Sequence, residues 1–232
     1  MRQIKINKIA EQIEITGEQA KHLIYSLRSK VGERITVIDE SGQRALVELV
    51  DFSKDKVTGI FLKNIPIHTQ EDITLAVAVP KKGLDEIIRQ ATEIGVFAIQ
   101  PLLTERTVAN PSTSKQERWQ RIAKEAAEQS GATEPIIKPL MTLKDFLNQV
   151  EGAVILCNET EQKQQIYDIK LTKGAVTIII GCEGGFSQNE FKILEEFGAL
   201  SITLGENILK VDTAAIVALS IVKFVRRDSN LC

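Results

Sequence analysis

The residues best suited to chemistry lie in two loops near the C-terminal end of the sequence. Gly181-Cys182-Glu183-Gly184-Gly185-Phe186-Ser187 places three glycines in five positions. Glycines at that density permit positive φ angles and let a ligand approach the backbone. Ser187-Gln188-Asn189-Glu190 follows with capping-box spacing, so a helix start with free N–H groups stands behind the loop. The second loop is Gly205-Glu206-Asn207-Ile208-Leu209-Lys210-Val211, with Lys210 as its one cation. Asn158-Glu159-Thr160 is a third, weaker candidate. By spacing alone, such loops serve equally as structural turns or as ligand cradles. No G-x-G-x-x-G is present, so a dinucleotide site is unsupported; a P-loop and a nucleophile elbow are absent. Cys182 could ionise before a helix start and act as a nucleophile. No His stands near it in sequence, and a small loop residue is the plainer reading. Glu183 has two readings of equal weight: a carboxylate beside a ligand, or a partner for helix-start N–H groups.

Each loop needs a strand before it and a helix after it. Val176 to Ile180 and Leu200 to Leu204 supply apolar strands, and Ala153 to Cys157 precedes the third candidate. Upstream, 73–79 reads as a buried strand. Leu84, Ile87, Ile88 and Ala91 mark a helix that Gly95 ends. Residues 96–103 read as a strand, and Ser114 to Glu117 as a second capping box opening a helix to Gln129. On that helix Trp119, Ile122 and Ala126 follow core spacing. Asp212 is placed to cap a last helix running to Arg227, where Arg226-Arg227 reads as a charged helix terminus. Apolar strands alternating with helices predict a parallel sheet covered on both faces, with ligands beyond the carboxyl ends of the strands.

The first 65 residues read differently. Thr16 to Gln19 has capping-box spacing before the apolar stripe Ala20, Leu23, Ile24, Leu27. Residues 34–39, 44–50 and 56–65 read as strands, with a turn at Asp39 to Gly42. These elements suggest a small barrel. The stretch 66–72 is polar, contains Pro66 and reads as a linker. His22 is expected to be a packed helix residue.

Composition narrows the classes. The chain has 232 residues, 43% hydrophobic and 26% charged, which is globular and argues against disorder or coiled coil. With 29 Lys+Arg against 31 Asp+Glu, the net charge is -2. That argues against a protein coating nucleic acid over its whole surface, while a local basic patch stays open. Three cysteines and two histidines, all scattered, predict neither a disulfide framework nor a zinc site. No apolar run is long enough to span a bilayer, so the expectation is a cytoplasmic protein with reduced thiols, without metal or membrane.

At the two main loops the sequence resembles a known family. Gly181 to Ser187 is similar to G-P-E-G-G-F-[ST], with Cys182 in place of Pro. Leu204-Gly205-Glu206-Asn207-Ile208-Leu209-Lys210-Val211-Asp212-Thr213-Ala214 is similar to L-G-x-R-I-L-R-x-E-T-A. These motifs resemble RsmE, the 16S ribosomal RNA uridine N3-methyltransferases of the SPOUT superfamily. The likeness runs on through Lys82-Gly83 to Ala91-Thr92-Glu93-Ile94-Gly95-Val96, Pro101-Leu102 to Glu105-Arg106, and Glu117-Arg118-Trp119 to Ser130-Gly131. It also includes His22-Leu23 to Leu27-Arg28 and Val31-Gly32, so it is collinear over nearly the whole chain. The sequence departs from the family at polar positions. Asn207 and Lys210 replace Arg, Asp212 replaces Glu, Gln90 stands where Lys is common, and Ala132 where Arg is common.

The resemblance implies an α/β fold with a parallel SPOUT-type sheet and a C-terminal trefoil knot at 73–232. It implies a PUA-like RNA-binding β-barrel at 1–68. The implied cofactor is S-adenosyl-L-methionine, held by Leu156, Asn158, Glu159, Ile180, Gly181, Glu183, Gly184, Gly185, Leu204, Gly205, Ile208 and Leu209. Lys210 and Glu183 are the implied catalytic residues. Arg28, Arg89, Arg106 and Lys210 are the implied RNA contacts; for Arg106 this reading is favoured over a surface ion pair, and for Arg28 a solvated helix end is an equal reading. The implied function is methylation of N3 of a uridine in small-subunit ribosomal RNA, by a homodimer acting on the RNA or on the assembled subunit. The lost cations point to an alternative, a divergent member that binds RNA and cofactor but methylates poorly or elsewhere. On this reading Gly184→Val crowds the cofactor loop.

Overall fold

The structure is a computed structural model that describes residues 3–65, 72–109, 111–169, 171 and 174–228. The linker stretch 66–71, His68 and Cys232 lie outside the described residues, as does the side chain of Arg227. The chain forms two compact units, Met1–Thr69 and Gln70–Cys232.

In the first unit, five strands make one sheet in the order β1-β3-β4-β5-β2. They are β1 (Gln3–Lys5), β2 (Gln12–Thr16), β3 (Arg34–Ile38), β4 (Arg44–Phe52) and β5 (Lys56–Ile65). All pairings are antiparallel except β1 with β3. Among the described residues no ladder joins β1 to β2, so the sheet supplies the staves of the expected barrel without closing it. Ile13, Ile15, Leu23, Ile35, Val37, Val47 and Leu49 form its core. Asp39 builds the predicted turn: its Oδ1 accepts from the N–H groups of Ser41 and Gln43, both at 2.9 Å. Helix α1 (Gly17–Lys21) passes into a π-helical turn, His22–Ser26. Thr16 is the N-cap residue, but its side chain makes no capping bond. His22 is exposed rather than packed, because Ala20 and Leu23 take the buried face.

The second unit is built on seven strands in the order β12-β10-β11-β6-β7-β8, with β9 also on β7, and every pairing is parallel. The strands are β6 (Ile73–Ala78), β7 (Ala98–Leu103), β8 (Ile136–Ile137), β9 (Met141–Thr142), β10 (Ala153–Cys157), β11 (Val176–Ile180) and β12 (Leu200–Ile202). Among the described residues, five helices accompany the sheet: α2 (Leu84–Ile94), α3 (Thr113–Ser130), α4 (Leu143–Leu147), α5 (Gln188–Phe197) and α6 (Val211–Asp228). Alternate strand residues enter opposite cores. Ile73, Leu75, Val77, Ile178 and Ile180 join Trp119, Leu219 and Val222 on one face. Ala76, Ile179 and Leu156 join Phe146, Phe186 and Leu194 on the other. Burial on both faces is why these strands read as unbroken apolar runs.

Helix ends follow the sequence signals with two exceptions. Gly95 and Gly198 end α2 and α5 in the left-handed region. Ser112, not Ser114, precedes α3, and no capping bond forms there. Asp212 lies inside the first turn of α6, where its Oδ1 accepts from the Thr213 N–H at 2.8 Å. Lys223 of α6 donates to the carbonyls of Ile94 and Gly95, closing the C-terminus of α2. Arg226 donates to Gly174 O at 2.7 Å, so it ties a loop rather than standing only as a helix-end charge.

Candidate active site

The carboxyl ends of β6, β7, β10, β11 and β12 open on a cavity of about 660 Å³. Loop 181–187 forms one wall, and loop 203–212 another. Asn158 to Thr160, Pro80, Lys82 and Arg106 complete it.

Steric need explains the glycines. A Cβ at Gly181 would meet the Phe186 ring at 3.1 Å and Gly185 Cα at 3.2 Å. Gly185 has φ +65, within the tight turn where its N–H donates to Cys182 O at 2.8 Å. A Cβ at Gly184 would touch the Arg106 side chain at 3.4 Å, in ordinary contact. Crowding by Gly184→Val therefore falls first on Arg106.

Behind this loop stands a complete capping box. Ser187 Oγ accepts from the Glu190 N–H at 3.1 Å, and the Glu190 carboxylate accepts from the Ser187 N–H at 2.9 Å. Glu190 is buried, and its other oxygen accepts from the Glu105 N–H at 2.8 Å. Hydrogen bonds from Ser187 and Asn189, then the Arg106 charge, hold the Glu105 carboxyl below the usual carboxylate range. Arg106 donates to Gly184 O at 2.6 Å.

Glu183 does not pair with the start of α5. The Lys81 N–H, in the loop after β6, donates to both of its carboxylate oxygens at 3.0 and 3.3 Å. Lys82 follows and lines the cavity with Arg106 and Lys210, three cations among the carboxylates of Glu159, Glu183, Glu206 and Asp212. Lys82 opens the family-like stretch that runs to Val96, yet it is not among the residues expected at the site; its place after the apolar strand β6 was a second clue. Cys182 is buried, with Sγ 3.4 Å from Arg106 O, the setting of a small packed residue. Burial pushes the Cys157 thiol up to about 12.

Most of the expected site residues converge. Asn158, Glu159, Ile180, Gly181, Glu183, Gly184, Gly185, Leu204, Gly205, Ile208, Leu209, Arg106 and Lys210 all line the cavity. Leu156 does not; its side chain packs in the core with Phe186 and Leu194. Arg89 does not either, since it pairs with Glu86 one turn back on α2. Arg28 is exposed on the first unit, with φ 48. Asn158 spends its side chain locally: Nδ2 donates to Ser201 Oγ, and Oδ1 accepts from Thr160 N and Oγ1. Among the described residues, no group of three or more His, Cys, Asp or Glu is placed to hold a metal ion, and no helix is long and apolar enough to cross a membrane.

The family model of an RNA methyltransferase domain matches residues 68–223, and that of an RNA methyltransferase PUA domain matches 15–62. A Synechocystis protein named ribosomal RNA small subunit methyltransferase E is 35% identical over 91% of this chain and 73% of its own. The chain belongs to the ribosomal RNA small subunit methyltransferase E family. The Bacillus subtilis member is 30% identical, over 93% of this chain and 91% of its own. The Neisseria gonorrhoeae member, crystallised bound to S-adenosyl methionine, superposes with a TM-score of 0.76 at 25% identity, over 97% and 98% of the two chains. Membership makes the chain an RNA methyltransferase and fixes the reaction class in which the cavity is to be read.

Proposed function

We propose that this chain methylates N3 of a uridine in 16S ribosomal RNA of the small ribosomal subunit, with S-adenosylmethionine as donor. The convergence of loops 181–187 and 203–212 on one cavity that Lys82, Arg106 and Lys210 also line carries the reading. The residues present fit the donor. The cavity has the size of small-molecule sites, which run from about 300 to 1,000 Å³. Ile180, Leu204, Ile208 and Leu209 offer apolar walls to an aromatic base. Glu183 and Glu159 offer carboxylates to a cation. S-adenosylmethionine supplies a methyl group on a positively charged sulfur.

The protein has two tasks left. It aligns the uridine for in-line transfer, and it stabilises the base once N3 has lost its proton. Lys210 and Arg106 bring positive charge to that anion and to the adjoining phosphates. Glu183, held by the Lys81 amide, keeps its carboxylate at the cavity wall without occupying a side-chain donor. The first unit meets RNA through the exposed Arg28, an assignment supported by the PUA match at 15–62.

The assembly belongs to the same reading: a cytoplasmic homodimer with a trefoil knot. The outer side of α6 supports the dimer, since Phe224 is 65% exposed and Val217 keeps part of its surface. Support for the knot lies in the stretch after β10, where Thr203 N–H donates to Gln164 O and α6 packs on the 3-10 turn Ile166–Asp168.

Labelled donor, small subunits lacking the native modification, and mass spectrometry of RNA fragments test the activity. A single N3-methyluridine is expected. Label absent, with donor binding intact and an active relative methylating the same subunits, overturns the reading in favour of a divergent RNA-binding member.

A further inference from the structure

We infer that Glu190 is a positioning residue for Arg106: its buried carboxylate ties the chain at Glu105 to the start of α5 and so fixes the cation beside the cavity. The inference rests on the reading above, in which Arg106 meets RNA. Capping α5 needs only one Glu190 oxygen, the one that accepts from Ser187. The second oxygen accepts from the Glu105 N–H, 85 residues away in sequence. A carboxylate that accepts two backbone N–H groups while only 5% exposed is a strong tether, because loss of either bond leaves a buried polar group unpaired.

Four further contacts lace the same two segments, among them the hydrogen bond of Ser187 to the Glu105 carboxyl. Asn189 Nδ2 donates to Glu105 Oε1 at 3.1 Å. Arg106 Nη1 donates to Gly184 O at 2.6 Å. Cys182 Sγ lies 3.4 Å from Arg106 O. The aliphatic stem of Arg106 rests on Gly184, where an added Cβ would stand 3.4 Å from Arg106 Cβ and 3.5 Å from Cδ. Arg106 is thus held at both ends, by its neighbour's amide through Glu190 and by its guanidinium through Gly184. A guanidinium has five N–H donors, and among the described residues only Gly184 O takes one. Arg106 is exposed, so the others are accessible to an anion. Fixing a long side chain in advance lowers the cost of immobilising it on binding.

The test measures affinity for small ribosomal subunits lacking the modification, with Glu190→Gln, Arg106→Ala and the double variant. Glu190→Gln keeps one accepting oxygen and is expected to weaken binding about tenfold. Faster hydrogen exchange at the Glu105 amide accompanies it. The double variant is expected to bind no worse than Arg106→Ala alone, since no cation is left to position. Glu105→Pro deletes the N–H donor together with the carboxylate that Ser187 and Asn189 bond, so it is read against Glu105→Ala, and the pair serves if Glu190→Gln does not fold; the same non-additivity is expected. Additive losses, or full affinity in Glu190→Gln beside a weakened Arg106→Ala, overturn the inference and leave the proposed function standing. Full affinity in Arg106→Ala removes Arg106 from the RNA site and overturns the inference together with that part of the reading.

Discussion

Lys210 stands at the mouth of the cavity, exposed, on the loop that carries Ile208 and Leu209. A Lys keeps the charge of the family Arg but not its planar fork, so it acts as a point charge. Lys210→Ala is expected to lower methyl transfer about 100-fold. Donor affinity by calorimetry should stay nearly unchanged, and Lys210→Arg should retain activity. Cys157 gives a pH prediction with a definite sign. Its thiol ionises near 9.0 in an unfolded chain but is raised to about 12 by burial. The folded state thus disfavours the thiolate. The stability this contributes is complete below 9.0 and is lost as pH rises toward 12. Urea unfolding across that window should show an alkaline decline that is shallower in Cys157→Ala.

At the scale of elements, the strand–loop–helix unit from β11 to α5 forms one wall of the cavity. Its glycines are not equivalent. Gly181→Ala forces a Cβ against the Phe186 ring and the Gly185 backbone, whereas Gly184→Ala meets only the movable Arg106 stem. Calorimetry should show donor affinity falling about tenfold or more in Gly181→Ala and staying within about twofold in Gly184→Ala. The capping box in this unit was legible as Ser187 and Glu190, three residues apart. The matching spacings at Thr16 and Ser114 form no box. Spacing permits that bond; the local chain path decides whether the side chain reaches. The strand β2 shows the reverse. Its alternation Gln12-Ile13-Glu14-Ile15-Thr16 is a strand pattern in plain view, and Ile13 and Ile15 are buried as that pattern requires.

For the whole molecule, α6 is the element to test. Its inner side, Ala215, Ala218, Leu219 and Val222, is buried in the core, and Phe224 is left on the outer side. On the proposed dimer, Phe224→Glu places a charge in the interface. Sedimentation should then show a monomer that keeps its helical circular dichroism. A dimer of unchanged stability would remove α6 from the interface. RNA affinity should also fall as salt rises, because Lys82, Arg106 and Lys210 displace counterions from the phosphates they meet.

The sequence by itself determined the layered α/β unit, the smaller β-rich unit and the two loops of the site. Period-two and helical burial patterns, glycine punctuation and collinear motifs are local properties, and they survive without knowledge of distant neighbours. Only the tertiary structure decided which residues meet. Leu156 and Arg89 sit in or beside the right elements, yet one faces the opposite core and the other pairs along its own helix. The Lys81 amide reaches Glu183 across 102 positions, and Glu190 reaches Glu105 across 85. Parallel strand order brings such loops to one edge of the sheet, and no spacing along the chain encodes which loops those are.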